Sequence, residues 1–348
     1  MRIRSLLFAS ITAASLLFAA PALATIQYKI VTASEKGTYI VIGRDLANYV
    51  AAPADIELEA LPSAGSAENI RRLRYEAGVK FALVQSDVYQ AFLDQAAAGN
   101  AGAGTIIRPL RVIMPLYNEE IYFVVRADAP INFVHEIKDA RINTGPIGSG
   151  TALTTATLYR LMFNQPLPES KATFLTNEEA LVKLIADKSV DVVAIVAGQP
   201  AKLFTDMKPE VRQFIKLLKV DPNHPTTAAA LRTYFKAIVR VDSYPNLLSE
   251  NIAALAVKAY LVTYDYNLKD TRAHMARFAR SLCQNFATLQ ASGHPKWKEV
   301  ELAMPDPGAG WIYYPQTAAE LRACIATKQR VKPKCTIEDT VLGLCPNK

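Results

Sequence analysis

Cysteine is scarce and comes late. No cysteine precedes Cys283, and only four occur among the 348 residues: Cys283, Cys324, Cys335 and Cys345. No C-x-x-C pair exists. The four histidines, His135, His224, His274 and His294, form neither H-x-x-x-H nor H-E-x-x-H. These absences remove the usual sequence signs of a metal centre or a thiol-redox site. Long apolar runs are missing after the first 24 residues, and no later segment reaches transmembrane length without a charge. A long basic tract with interleaved aromatics is missing too. The formal charge of +7 comes from scattered Lys and Arg, which argues for a solvated basic surface and against nucleic-acid binding. Gly148-Ser149-Gly150 lacks the spacing of a nucleophile elbow, and Gly150-Thr151 lacks the Lys of a P-loop. Residues 145–150 read G-x-x-G-x-G, not the dinucleotide order G-x-G-x-x-G. Glu119-Glu120 and Glu178-Glu179 read as solvated or helix-starting carboxylates. Glu35 with Lys36 is the one acid–base pair an enzyme could use. The expectation is a chain that is not an enzyme and needs no cofactor and no metal.

The first residues are more eloquent. Arg2 and Arg4 precede an apolar run over 6–20, and Ala22-Leu23-Ala24 supplies small residues where a signal peptidase reads. A cleavable signal peptide over 1–24 and a periplasmic location are expected. In an exported chain four cysteines suggest two disulfides, with three pairings open. Cys283–Cys324 and Cys335–Cys345 are favoured, the first tying two helical segments and the second closing a short tail loop. A hydrophobic share of 51% with 20% charged residues is that of an ordinary globular protein, and the length calls for two lobes.

Strand, polar loop and helix alternate along the chain. Strands are read at 28–32, 56–61 and 81–84, with helices at 41–51, 67–76 and 86–98. Residues 99–104 read as a loop, and 110–116 and 121–125 as two separate strand-like runs. A second unit follows, with a strand at 140–144, a glycine-rich turn at 145–151 and a helix at 152–163. An amphipathic segment at 177–187, a buried strand at 190–196 and a short one at 214–218 complete it. Strand material at 252–263 and helices at 270–290 and 317–327 close the pattern. This is an α/β fold in two lobes, each a mostly parallel sheet flanked by helices.

Three small polar clusters stand where a strand gives way to a helix: Gly37-Thr38-Tyr39, residues 63–66 and residues 148–151. The first turn of a helix leaves N–H groups unpaired and carries partial positive charge. Several such termini converging on a cleft beyond the strand ends can hold a carboxylate. Each alone also reads as an ordinary N-cap.

At this point the chain resembles the extracytoplasmic solute receptors of TRAP transporters, in the TAXI branch. That family's T-G-G-x-G-G-T-Y-Y-x-x-G loop aligns with 32–43, and its S-x-G-S-x-E-N-L element with 63–70. Its F-V-Q-S-D-V segment matches 83–88, L-Y-x-E-x-x-x-x-V-V-R fits 116–126, G-P-x-G-S-G-T-R fits 145–152, and V-A-G-x-P fits 196–200. Asp306-Pro307-Gly308-Ala309 and Tyr313-Tyr314 resemble the family's P-G-A-x-x-Y-Y ending. The chain departs at Ala33, Ser34 and Lys36, where glycines are lost, at Glu35, at Ile40, and at Ala152, which replaces an Arg. The resemblance implies a two-lobed clamshell of the periplasmic binding protein type II kind. Residues 25–120 plus 241–327 would form lobe 1, residues 121–240 lobe 2, and 328–348 a disulfide-bearing tail. A small carboxylate or amino-acid ligand would lie between Thr38, Tyr39, Ser66 and Gln85 of lobe 1 and Ser149, Gly150, Thr151 and Gly198 of lobe 2. The implied partners are the membrane permease subunits of an ion-gradient-driven TRAP transporter, with no nucleic acid. The alternative is a clamshell sensor or scaffold that reports a solute to a membrane partner.

Overall fold

The computed structural model describes residues 26–35, 37–308, 310–331 and 340–343. The expected signal peptide, Lys36, Cys335, Cys345 and most of the tail lie outside the described residues. Among the described residues ten strands build one continuous sheet: β1 (Ile26–Val31), β2 (Ile56–Leu61), β3 (Val79–Gln85), β4 (Leu110–Arg126), β5 (Ile142–Asn143), β6 (Ala172–Thr173), β7 (Val192–Ala197), β8 (Ile215–Leu217), β9 (Phe235–Val239) and β10 (Ile252–Tyr264). The order is β2-β1-β3-β10-β4-β7-β5-β6, with β8 on β4 and β9 on β10. β1, β2 and β3 run parallel at one end, and β5, β6 and β7 at the other. Between them β4 and β10 pair antiparallel, and each is long enough to serve both ends.

Those two strands divide the protein into lobes. Successive residues of a strand face opposite sides of a sheet, so each half of β10 feeds two cores. Leu255 and Val257 enter one core of lobe 2, and Ile252 and Ala254 the other. Further along, Ala259 and Leu261 enter one core of lobe 1, and Tyr260, Val262 and Tyr264 the other. β4 does the same in reverse, with Val112, Ile113 and Met114 in lobe 1 and residues 121–125 in lobe 2. The result is a two-lobed α/β clamshell with helices on both faces. Among the described residues no helix is long and apolar enough to cross a membrane.

The sequence reading needs correction at several joints. The two strand-like runs at 110–116 and 121–125 are one 17-residue strand. Its polar middle, Asn118-Glu119-Glu120, pairs on through β10 instead of turning. Residues 99–104 are not a loop throughout: Ala101–Ile107 is a helix, started by Asn100, whose side chain accepts the Ala103 N–H at 3.2 Å. The helix expected over 270–290 breaks at Asn285 into Lys269–Gln284 and Phe286–Ser292. The segment at 177–187 is a helix only over Asn177–Val182, opened by a Thr176–Glu179 capping box, and ends in a wider π turn over Lys183–Asp187. Cys283 and Cys324 form a disulfide that ties helix Lys269–Gln284 to helix Pro315–Val331.

Candidate functional site

The lobes meet at the carboxyl end of β3. Gln85 closes that strand, and its backbone N–H donates to the Ser66 hydroxyl at 3.0 Å, which fixes helix Ser66–Tyr75 against the strand end. The Gln85 carboxamide then reaches two ways. Its Nε2 lies 3.3 Å from Glu119 Oε2, and its Oε1 lies 3.4 Å from the Thr154 hydroxyl of the other lobe. Tyr39, in the first turn of helix Thr38–Leu46, donates its phenol to the same Glu119 oxygen at 2.8 Å. Across the seam, Thr154 donates to Asp87 Oδ2 at 2.7 Å and the Tyr234 phenol lies 3.0 Å from that oxygen. Asp87 directly precedes helix Val88–Ala97 of lobe 1, whereas Thr154 and Tyr234 belong to lobe 2. One polar string, Tyr39–Glu119–Gln85–Thr154–Asp87–Tyr234, therefore runs from lobe to lobe. Arg160 adds an ion pair to Asp94 at its margin.

Backbone meets backbone beside this string. Gly65 has φ +132°, and a Cβ there would lie 2.9 Å from the Gly150 nitrogen. A Cβ on Gly150 would lie 2.1 Å from Gln85 Oε1. Only glycines allow this approach, so the lobes are closed on one another. At the other end of the cleft Glu120 accepts the Gln199 N–H at 2.9 Å. Lys296 is 5% exposed, pairs with Glu299 at 2.7 Å, and leaves room at Gly198 for nothing larger than hydrogen.

Burial sets the electrostatics. It pushes Glu119 up to about 7 against the opposing hydrogen bonds from Tyr39 and Gln85. It pushes Asp87 up to about 6 against those from Thr154 and Tyr234. Glu120 is raised by burial as well, with Lys296 opposing. The phenols of Tyr39 and Tyr117 are held well above their ordinary range, first by burial and then by the Glu119 charge. The string presents fixed donors and acceptors in a low-dielectric seam.

Of the residues expected to face a ligand, Tyr39, Ser66, Gln85, Ser149 and Gly150 gather at the seam. Thr38 opens its helix and is half-buried, Thr151 packs beside Gly145, and Gly198 lies against Lys296. Ser149 is also a working N-cap, accepting the Ala152 N–H at 3.0 Å. Ser149→Ala is expected to cost about 1 kcal/mol in a urea melt, the ordinary loss for such a cap. The sequence reading passed over Glu119, Glu120, Asp87, Thr154, Tyr234 and Lys296. Glu119 and Glu120 are not solvated, at 6% and 7% exposed. Glu179, by contrast, does start a helix.

The sequence model described as the NMT1-like family matches residues 30–304. No curated protein matches the chain. Among solved structures, the chain is similar to the periplasmic binding protein BugD at 13% identity, covering 89% of this chain and 96% of that one, TM-score 0.49. It is similar to a Candida albicans protein described as having the generic periplasmic binding protein fold, at 12% identity over 88% and 90%, TM-score 0.46. An ATP-bound protein of Xanthomonas citri gives 13% identity over 88% and 98%, TM-score 0.46.

Proposed function

We propose, from the premise that this chain belongs to the NMT1-like family, that it is a periplasmic solute receptor of the TAXI kind. It captures a small carboxylate-bearing solute between its lobes and delivers it to the permease of a TRAP-type transporter. The observation that carries the reading is the polar string between lobes joined by the continuous strands β4 and β10. Two lobes joined in this way can part by flexing β4 and β10. They close when a solute adds contacts that the open form lacks, since a ligand shifts such an equilibrium only by its differential affinity. Ser149 and Gly150 on one side and Ser66, Gln85 and Tyr39 on the other are the groups that meet it. By the cores they feed, lobe 2 takes 118–257 and lobe 1 the described residues on either side, so 241–257, expected in lobe 1, go with lobe 2.

The test is a thermal-shift screen of the mature protein, first unfolded and refolded to strip carried-over solute. Carboxylates, amino acids and aromatic acids form the panel. A ligand at 100 times its Kd adds about 2.7 kcal/mol, a rise of roughly 5–10 °C for a chain of this length. Absence of any shift across the panel overturns the receptor reading. A hit is then followed into vesicles holding the permease, where uptake that depends on the receptor supports the transport role.

A further inference from the structure

A cavity of about 190 Å³ opens in lobe 2 and shares no lining residue with the seam. It lies between helix Lys202–Thr205, helix Pro209–Arg212 and the chain that follows the short turn Val241–Ser243. Its wall is apolar and fixed. Phe204 and Tyr244 are buried and meet edge-on, with ring centroids 5.5 Å apart. The Tyr244 hydroxyl accepts the Ala201 N–H at 2.5 Å and lies 2.9 Å from the Tyr122 hydroxyl, which holds the ring in place. Leu247 extends the same wall.

Arg212 supplies the charge, and it is half-buried. Its Nη2 donates to the Thr205 carbonyl at 2.8 Å, the one hydrogen bond its side chain makes among the described residues. Its Nε is buried with no acceptor. The acids of the flanking segments are engaged elsewhere: Asp206 pairs with Lys202 and Asp242 with Arg240. Glu210, two positions back on the same helix, is exposed and makes no ion pair. A guanidinium is all donor and no acceptor, and one withdrawn from water without a counter-charge favours an incoming oxyanion. Ser243 and Asn246 line the same cavity with side-chain donors that no described residue takes up.

We infer that this cavity is a second binding site, for a small acid with one carboxylate on an apolar body. The carboxylate pairs with Arg212, and the body lies against Phe204, Tyr244 and Leu247. One cation matches one negative charge, and a bare inorganic anion would leave the apolar wall uncovered. The volume falls below the roughly 300–1,000 Å³ of sites for drug-sized ligands, which keeps the occupant small. The site stands apart from the receptor reading, since it uses none of the groups that meet a solute between the lobes.

Fluorine NMR on the stripped, refolded protein tests it, with 4-fluorobenzoate as the probe. The wild type should broaden the probe's line. Benzoate and 3-methylbutanoate should compete, and benzamide, which lacks the charge, should compete about tenfold more weakly. Arg212→Gln should weaken binding by about tenfold. Ser243→Tyr, which puts a ring where the body would sit, should abolish it. Gly65→Ala, at the contact between the lobes, should leave it unchanged. No broadening by the wild type overturns the inference, as does competition by benzamide or by inorganic phosphate equal to that by benzoate. Binding that ignores Arg212→Gln and Ser243→Tyr but falls with Gly65→Ala places the probe between the lobes, which overturns the inference and supports the receptor reading. If Arg212→Gln does not fold, Ser243→Tyr and the benzamide comparison still decide.

Discussion

Gly65→Ala is expected to hold the lobes apart and to weaken solute binding by about 30-fold, with the fold retained. Gly65 sits at φ +132° and ψ −157°, a region essentially reserved for glycine, where a side chain costs of order 1–3 kcal/mol. The added methyl would also fall 2.9 Å from the Gly150 nitrogen, which is backbone and cannot swing away. Both costs weigh on the closed form, and opening relieves the second. A bias of about 2 kcal/mol against closure lowers apparent affinity by about 30-fold, at about 1.4 kcal/mol per factor of ten. Calorimetry gives the affinity, and small-angle scattering shows the larger radius of gyration that persists with solute present. Gly99→Ala is the control. Its φ of +100° imposes similar strain, but nothing lies within 4 Å of a Cβ there. It should lower the melting temperature and leave affinity alone. Equal loss of affinity in both variants would mean that the Gly65 contact does not govern closure.

The second large effect is on stability against pH. Glu119 rises on folding from the ordinary carboxylate value to about 7, and Asp87 to about 6, each chiefly through burial. A raised carboxylate means that the native state holds its proton more tightly than the unfolded chain. Its stabilisation is complete below the unfolded value and is lost as pH climbs through the native one. For Glu119 the total is on the order of 3 kcal/mol, most of it lost between pH 5 and 7. His274 and His294 are lowered by burial and act in the opposite direction, which favours the fold as pH rises. The diagnostic is therefore the difference between wild type and Glu119→Gln in urea melts at pH 5 and pH 8. The variant should lose markedly less stability over that range and be the more stable protein at pH 8. Parallel curves would show that Glu119 does not titrate in this window.

The lobed α/β plan was legible because it rests on local signals. Apolar runs of strand length, turns rich in glycine and serine, and helix starts at Ser66 and Ser149 are written within a few residues of each element. The meeting of Gly65 with Gly150 was not, since nothing local says that two loops 85 positions apart in sequence share a surface. Glu119 and Glu120 were misread for the same reason. Two adjacent carboxylates in a polar stretch have every local mark of an exposed turn. What buries them comes from elsewhere: Tyr39 and Gln85 on one, Gln199 on the other, and β10 alongside both. Asp87 was hidden inside the helix read at 86–98, because its partners Thr154 and Tyr234 belong to the other lobe. Cys283 and Cys324 paired as favoured because both fall on long, recognisable helices.

The passage of β4 and β10 through both lobes also sets the order in which the chain can be finished. Every strand segment and core residue of lobe 2 falls within 118–257, an unbroken stretch. The buried residues of the lobe 1 cores come from 30–117 and again from 259–321. A chain threading out from its N-terminus can therefore complete the second lobe while the first still lacks the second half of β10 and helix Lys269–Gln284, which carries Cys283. Strands β1 to β3 must wait, with an apolar edge uncovered, until the last third of the polypeptide arrives. The lobe that begins the sequence is the last to close its core.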